Sequence, residues 1–447
     1  MDNTREHQSP FSNVDVVILA NRSREAFSDS QLFGLLTIAN KPILAHVLDQ
    51  FERFNFGKIK LVCLSKDQSA YADFLFSNSS RSVQLIPVDG AQTTCDIIRK
   101  IASQMNHVFI FPIDLFISVN LTEIVDYHIS SHTQITVIST RQGLDEKDLK
   151  AAPGIQVANL NQNAGKRFFV YDEAKPNVLV TLLSDITSLN EDIDLSLKRI
   201  DSCSAEEDYS QDDYFDYSQD AMSVHPSHLK GVHSLIVDSS MMLTNAFLLS
   251  PECVTFLREN NIHSIESELI PQICTEPKQP KKINASLYCA KPTEFAFRVT
   301  DYASLFVANM KCASTKLLGY SPAADFTLFD GQNNGYFKED PHKVPETFKY
   351  TPFSVYGAYL TVLSDDVQIQ RSVIGKHCKI GKGVKIFSSI LFDHVTIDDG
   401  VVLRDCMIGS DSVIKSNSRL TLCIVSPRYT SEKGMMKERC IVQVGEK

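Results

Sequence analysis

Val373 to Leu420 reads VIGKHCKIGKGVKIFSSILFDHVTIDDGVVLRDCMIGSDSVIKSNSRL, and the spacing of its large aliphatic residues decides the fold of the C-terminal part. Counted from Leu363, they fall at Ile369, Ile374, Ile380, Ile386, Leu391, Ile397, Leu403, Ile408, Ile414 and Leu420, in steps of 6 and 5 that sum to 17 over any three positions. Three columns result: Ile374, Leu391 and Ile408; Ile380, Ile397 and Ile414; and Ile386, Leu403 and Leu420. A helix is excluded, because spacings of 5 and 6 do not hold one face at 3.6 residues per turn. Three inward residues per coil, each on a short strand and followed by turn words (IGKHCK, IGKGVK, IDDGVV, IGSDSV), predict a triangular parallel β-solenoid. Its expected bounds are 356–427, with a C-terminal tail over 428–447.

Hexapeptide repeats of this kind form left-handed β-helices, and many such helices are acyltransferases with a loop histidine. His377 and His394 stand 17 apart and so stack, but the position below them is Asp411 and no long acceptor loop interrupts the coils. Catalysis there is disfavoured. A short solenoid has open ends and an apolar rim that must be covered, so packing on the rest of the chain or on another subunit is its expected use.

The N-terminal half reads differently. Val14 to Leu19 (VDVVIL), Ile59 to Leu64 (IKLVCL) and Val108 to Ile113 (VFIFPI) are short apolar runs of buried-strand character. Between the first two, Ile43, Val47, Leu48, Phe51 and Phe54 recur at helical spacing from Pro42, a residue suited to a first helical position, to Gly57. Strands alternating with helices predict a doubly wound, mostly parallel sheet over 14–311, after a flexible 1–13. Ligands in such sheets sit beyond the carboxyl ends of strands. Two places qualify: the segment starting at Ala20, Asn21 and Arg22, and Asp114. The first glycine of the chain is Gly34, so the first of these has no glycine backbone to close on a phosphate. Asp114 has two readings, a Mg²⁺ ligand at a strand end or a carboxylate that caps the following helix.

Composition bounds the rest. The chain has 447 residues, 43% hydrophobic and 22% charged, enough for two or three domains with real cores. The longest apolar run, His107 to Val119, is interrupted by Asp114 and is too short for a membrane span. The N-terminus lacks an apolar signal core, which predicts a cytosolic, cytoplasmic protein. Eleven cysteines without a C-x-x-C pair read as reduced, mostly buried thiols. Residues 201–220 hold eight acids and no Lys or Arg, which accounts for most of the net charge of −10 and predicts a disordered insert. Ser204 and Ser210, each followed closely by acids, are candidate phosphorylation sites there. The basic cluster Lys278, Lys281 and Lys282 is interleaved with prolines and reads as a solvated linker, so no nucleic acid is expected as a direct partner. Gly319 to Pro352, rich in Gly, Pro and Asn, reads as connector within 312–355.

The combination resembles the sugar-nucleotide pyrophosphorylase superfamily, a nucleotidyltransferase-like domain followed by a left-handed β-helix. GLLTIANKPILAHVLDQFERFNFGKIKLV is similar to its A-N-K-P stretch through Asn40, Lys41 and Pro42. IFPIDL is similar to its strand bearing the metal aspartate, Asp114 here, and TNAFLLSPECVTFLREN and ESELIPQI to two later words. The superfamily's G-x-G-T-R-L loop reads Ala20, Asn21, Arg22, Ser23, Arg24 and Glu25, and the lysine ahead of A-N-K-P is replaced within FGLL. The resemblance therefore implies a retained fold, a vestigial nucleotide pocket at Ala20, Asn21, Arg22, Asn40, Lys41 and Asp114, no catalytic or metal residues, and no cofactor.

Within that superfamily the chain is similar to the gamma-subunit branch of eukaryotic translation initiation factor 2B. The epsilon branch carries a further C-terminal helical-repeat domain with the exchange activity, for which the 27 residues after Leu420 leave no room. The resemblance implies a non-catalytic regulatory subunit that pairs with epsilon and the other subunits and promotes GDP release from initiation factor 2. The competing expectations are an active sugar-1-phosphate nucleotidyltransferase, with Mg²⁺ on Asp114, and a nucleotide or sugar-phosphate sensor in the same pocket.

Overall fold

The structure is a computed structural model. It describes residues 11–20; 32–141 apart from 53, 55, 79–82, 90–91 and 104; 152–153; 168–183 apart from 173–174; 235–275 apart from 239; 284–314; 327–329; 345; 348–349; and 351–443 apart from 352 and 365. The acidic insert 201–220 with Ser204 and Ser210, the residues 1–10, Asn21 and Arg22, and most of the connector lie outside the described residues.

The first domain is built on one ten-stranded sheet. Its strands are β1 (Val14–Ala20), β2 (Ile59–Leu64), β3 (Val83–Val88), β4 (His107–Pro112), β5 (Ile135–Thr140), β6 (Phe168–Asp172), β7 (Lys175–Leu183), β8 (Leu235–Asp238), β9 (Met242–Leu249) and β10 (Ala285–Cys289). The order across the sheet is β8-β6-β7-β10-β5-β9-β4-β1-β2-β3. The run β3, β2, β1, β4 is parallel, with Val16 opposite both Ile59 and Phe109. Strand β9 enters antiparallel between β4 and β5, and β10 returns parallel to β5. The apolar runs of β1, β2 and β4 are buried on both faces, as a sheet covered on both sides requires.

Helices fill those faces: α1 (Ile43–Glu52), α2 (Gln68–Asn78), α3 (Thr94–Ile101), α4 (Leu121–Ser131), α5 (Pro251–Glu259) and α6 (Tyr302–Ser314). In α1 the spacing that marks the helix also marks its buried face, since Ile43, Val47, Leu48 and Phe51 are all buried. Pro42 belongs not to the helix but to a two-stranded hairpin, Thr37–Ile38 with Lys41–Pro42, that immediately precedes it. Ala39 and Asn40 at its tip have φ of 48° and 64°, the pair of left-handed residues that a tight hairpin turn needs. Gly34 is required by packing rather than by phosphate: a Cβ there would lie 2.6 Å from Ile113 Cδ1 and 2.7 Å from the Tyr71 hydroxyl.

The second domain is a left-handed parallel β-helix made of three sheets that run along its length. Pairing is parallel from coil to coil, with Ile374 on Leu391 on Ile408, Ile380 on Ile397 on Ile414, and Ile386 on Leu403 on Leu420. All nine residues of the expected columns are buried. The corners repeat as well: Arg371, Ser388, Asp405, Leu422 and Arg439 all have φ between 47° and 52° apart from Ser388 at 45°. A second corner is filled by Gly383, Gly400, Asn417 and Gly434, residue types that take this left-handed conformation most readily.

Two boundaries and one inward position differ from the sequence reading. The solenoid starts at Ser354, where Ser354–Tyr356 also pairs antiparallel with Thr327–Phe329 from within the connector. It continues past 427, because Met436–Glu438 and Ile441–Val442 add a further coil where a tail was expected. In the first coil Val362, not Leu363, is the inward residue, opposite Ile380 and 4% exposed against 58%. That coil carries one additional residue in the turn between Val362 and Ile369.

One solenoid face joins the core of the first domain. Val355, Val373, Ile390, Met407 and Ile424 point outward from the first sheet and are buried in the same apolar cluster as Phe51, Phe109 and Phe306. This apolar face of the solenoid is covered by the chain's own α/β domain.

Candidate functional site

The carboxyl ends of β1 and β4 frame a cavity of about 220 Å³, lined among others by Thr93, Asp114, Asn245, His263, Glu266 and Arg298. Its volume is below the roughly 300–1,000 Å³ of ordinary small-molecule sites. Asp114 follows β4 and is 2% exposed. Immediately after it, Leu115–Ile117 pairs antiparallel with Ala296–Arg298, setting Arg298 opposite Leu115. That ribbon delivers the guanidinium to the carboxylate. Nε and Nη2 of Arg298 donate to Oδ1 and Oδ2 of Asp114, each at 2.7 Å, in the two-pronged geometry that fits a carboxylate best. The Val299 N–H donates to the Asp114 carbonyl at 2.7 Å and closes the arrangement. Burial draws the Arg298 guanidinium down to about 10, against the charge of Glu266, so it stays cationic at neutral pH.

Both readings of Asp114 are thereby corrected. It does not cap the next helix, since the α4 cap is Asn120, whose side chain accepts from the Thr122 N–H at 3.1 Å. Nor do its surroundings fit a divalent cation, which takes six or more oxygens of which several come from carboxylates or phosphates. Both Asp114 oxygens face a cation of the chain itself, and among the described residues no three His, Cys, Asp or Glu converge as a metal set.

Of the residues grouped by sequence as one pocket, only Asp114 among the described ones lines the cavity. Ala20 ends β1 and is buried. Asn40 and Lys41 are not among the residues that line the cavity and make contacts around the hairpin instead. The Asn40 side-chain amide donates to the Ile374 carbonyl of the solenoid at 2.6 Å, and Ala39 N–H donates to Asn309 Oδ1 of α6 at 2.8 Å. Asn309 in turn donates to the Leu305 carbonyl within α6 at 2.9 Å. Lys41, 7% exposed, forms an ion pair with Asp49 of α1. The A-N-K-P word is thus a docking word that ties hairpin, α1, α6 and solenoid together. Arg298 and Asn309 were missed by sequence reasoning; the only signal for Arg298 was an uncommitted arginine in a short apolar run, AFR. On the solenoid, the rings of Tyr359, His377 and His394 stack with centroids 4.6 and 4.8 Å apart, a ladder of corner side chains.

Residues 333–435 match the family described as the EIF2B subunit epsilon LbH domain, a stretch that holds most of the solenoid. No curated protein matches the chain. The likeness is therefore to the left-handed β-helix of initiation factor 2B subunits, of the epsilon description rather than a gamma one. Among the described residues no helix is long and apolar enough to cross a membrane.

Proposed function

We propose that this chain is a non-catalytic regulatory subunit of translation initiation factor 2B, of the gamma type, which pairs with the epsilon subunit and promotes GDP release from initiation factor 2. The observation that carries the non-catalytic part is the Asp114–Arg298 pair. A nucleotidyltransferase needs that carboxylate free for metal and phosphate, and here an arginine of the same domain occupies it on both oxygens. The solenoid match supports membership of the multi-subunit exchange factor. The gamma type draws on the sequence resemblance, while the match carries the epsilon description, so the test separates the two. The chain is produced alone and together with an epsilon chain, and GDP release from initiation factor 2 is timed. The proposal expects no acceleration by the chain alone, co-purification with epsilon, and faster release by the pair than by epsilon alone. Acceleration by the chain alone would make it the exchange subunit and end the gamma reading.

A second reading rests on the cavity at the strand ends, which keeps Asn245, Glu266 and Thr93 around a space of about 220 Å³. It assigns the site to a small nucleotide or sugar phosphate held without reaction. A ligand at a hundred times Kd adds about 2.7 kcal/mol of stability. An unchanged melting temperature with millimolar nucleotides and sugar phosphates removes this reading.

A further inference from the structure

One corner of the solenoid carries a column that changes chemistry along its length: Ser354, Ser372, Ser389, then Cys406, Cys423 and Cys440. The serines satisfy the backbone of the next coil. Ser354, Ser372 and Ser389 Oγ accept from the N–H of Ser372, Ser389 and Cys406 at 3.3, 3.1 and 3.1 Å. From Cys406 onward the column is made of thiols. Cys423 and Cys440 lie on neighbouring coils one residue ahead of the parallel pairs Ile424 with Ile441 and Val425 with Val442. Their sulfurs stand 3.5 Å apart. Adjacent parallel strands run about 4.8 Å apart, inside the roughly 4.4–6.8 Å Cα separation that a disulfide spans. The two members differ in access: Cys423 is fully buried, whereas Cys440 is half-buried in the last coil and reaches solvent.

We infer that Cys440 and Cys423 form a peroxide-responsive dithiol, Cys440 as the thiol oxidised first and Cys423 as the one that resolves it into a disulfide between the last two coils. The Cys440 thiolate attacks the peroxide, whose O–O bond breaks; one oxygen stays as a sulfenic acid and the other leaves as water. The Cys423 thiolate then attacks the Cys440 sulfur, the S–S bond forms, the S–O bond breaks, and hydroxide leaves with the proton as a second water. Two thiols are oxidised and one hydroperoxide is reduced. The hydrogen bond from the Cys406 thiol, against the burial that raises it and together with the backbone N–H and thiol of Cys440, holds the Cys423 thiol below the usual value, which favours the resolving thiolate once the Cys440 thiol has been oxidised. Cys406 itself is buried, pushed up by that burial, and its sulfur lies 3.1 Å from the Arg404 carbonyl, away from any oxidant. The bond would staple the terminal coil, which exposes Met436 at 73% and Ile441 at 45%, to the coil beneath it.

Trypsin places the three thiols in separate peptides, 405–415 for Cys406, 420–428 for Cys423 and one that begins at Cys440. The full chain is treated with hydrogen peroxide, its free thiols are blocked, and the digest is mapped without reductant. The inference expects 420–428 joined to the Cys440 peptide, two hydrogens lighter than the sum and released by dithiothreitol. Cys406→Ser should keep the cross-link, and Cys423→Ser should leave Cys440 as sulfenic or sulfinic acid with no cross-link. Cys440→Ser, at a half-buried position and checked for folding by circular dichroism, should leave Cys423 reduced. A cross-link between Cys406 and Cys423, oxidised Cys440 without a cross-link in the unaltered chain, or three reduced thiols after peroxide would each overturn it.

Discussion

Asp114 and Arg298 stand 184 positions apart, and their pairing shows which part of a site a sequence can disclose. The carboxylate was legible because it ends an apolar strand, where doubly wound sheets place their ligands. The arginine was not, because only the pairing of Ala296–Arg298 with Leu115–Ile117 brings it there. Asn40 repeats the lesson: the motif was legible, but its partners Ile374 and the neighbouring Asn309 are fixed by tertiary packing. Removing one member of a buried ion pair leaves an uncompensated charge and costs about 3–5 kcal/mol, whereas removing both costs much less. Urea unfolding should therefore show Arg298→Met strongly destabilised and Asp114→Asn/Arg298→Met closer to the unaltered chain than the sum of the single changes. Additive losses would mean the two side chains do not act as a pair.

Two helices carry histidines that folding forbids to protonate. His46 of α1 is buried, its Nε2 2.8 Å from the Ile38 carbonyl, and burial holds it down to about 3. His128 of α4 sits 3.0 Å from His107 and 2.7 Å from the Thr136 hydroxyl, and burial, then the neighbouring His107, lowers it to about 3. Above the unfolded value of about 6.5 both states are neutral and these groups cost nothing. As pH falls from there toward 3, the unfolded chain takes up protons that the folded one refuses, so stability drops by up to about 1.4 kcal/mol per pH unit for each histidine. The urea midpoint should fall between pH 7.5 and 5, and His128→Gln should flatten that slope by about one proton; an equal slope would place the sensitivity elsewhere. At this scale the sequence was informative where periodicity is strict, as in α1 and the nine solenoid column residues. It failed at the first coil, where Val362 and Leu363 are both apolar and only the register to Ile380 shows which points inward.

Across the whole molecule the decisive contact is the solenoid face formed by Val355, Val373, Ile390, Met407 and Ile424, which shares one apolar core with the sheet. Because the two domains share this core, they are expected to unfold in a single transition. Ile390→Glu places a charge in that core at a position outward from the solenoid's own interior, so it should split a single unfolding transition into two while the β-helix stays intact. One transition with a lowered midpoint would show that the face is not what couples the halves. The coil repeat of the same solenoid also governs how this protein can change length. A gain or loss of 17 residues moves its tip by one strand spacing, about 4.8 Å, and leaves every surviving side chain on its own face. A gain or loss of one residue inside a strand turns each following residue in that strand from the interior to the outside. Single residues are admissible only at the corners, as in the turn between Val362 and Ile369, so lineages of this chain should differ in length by whole coils or by insertions at the three edges of the triangle.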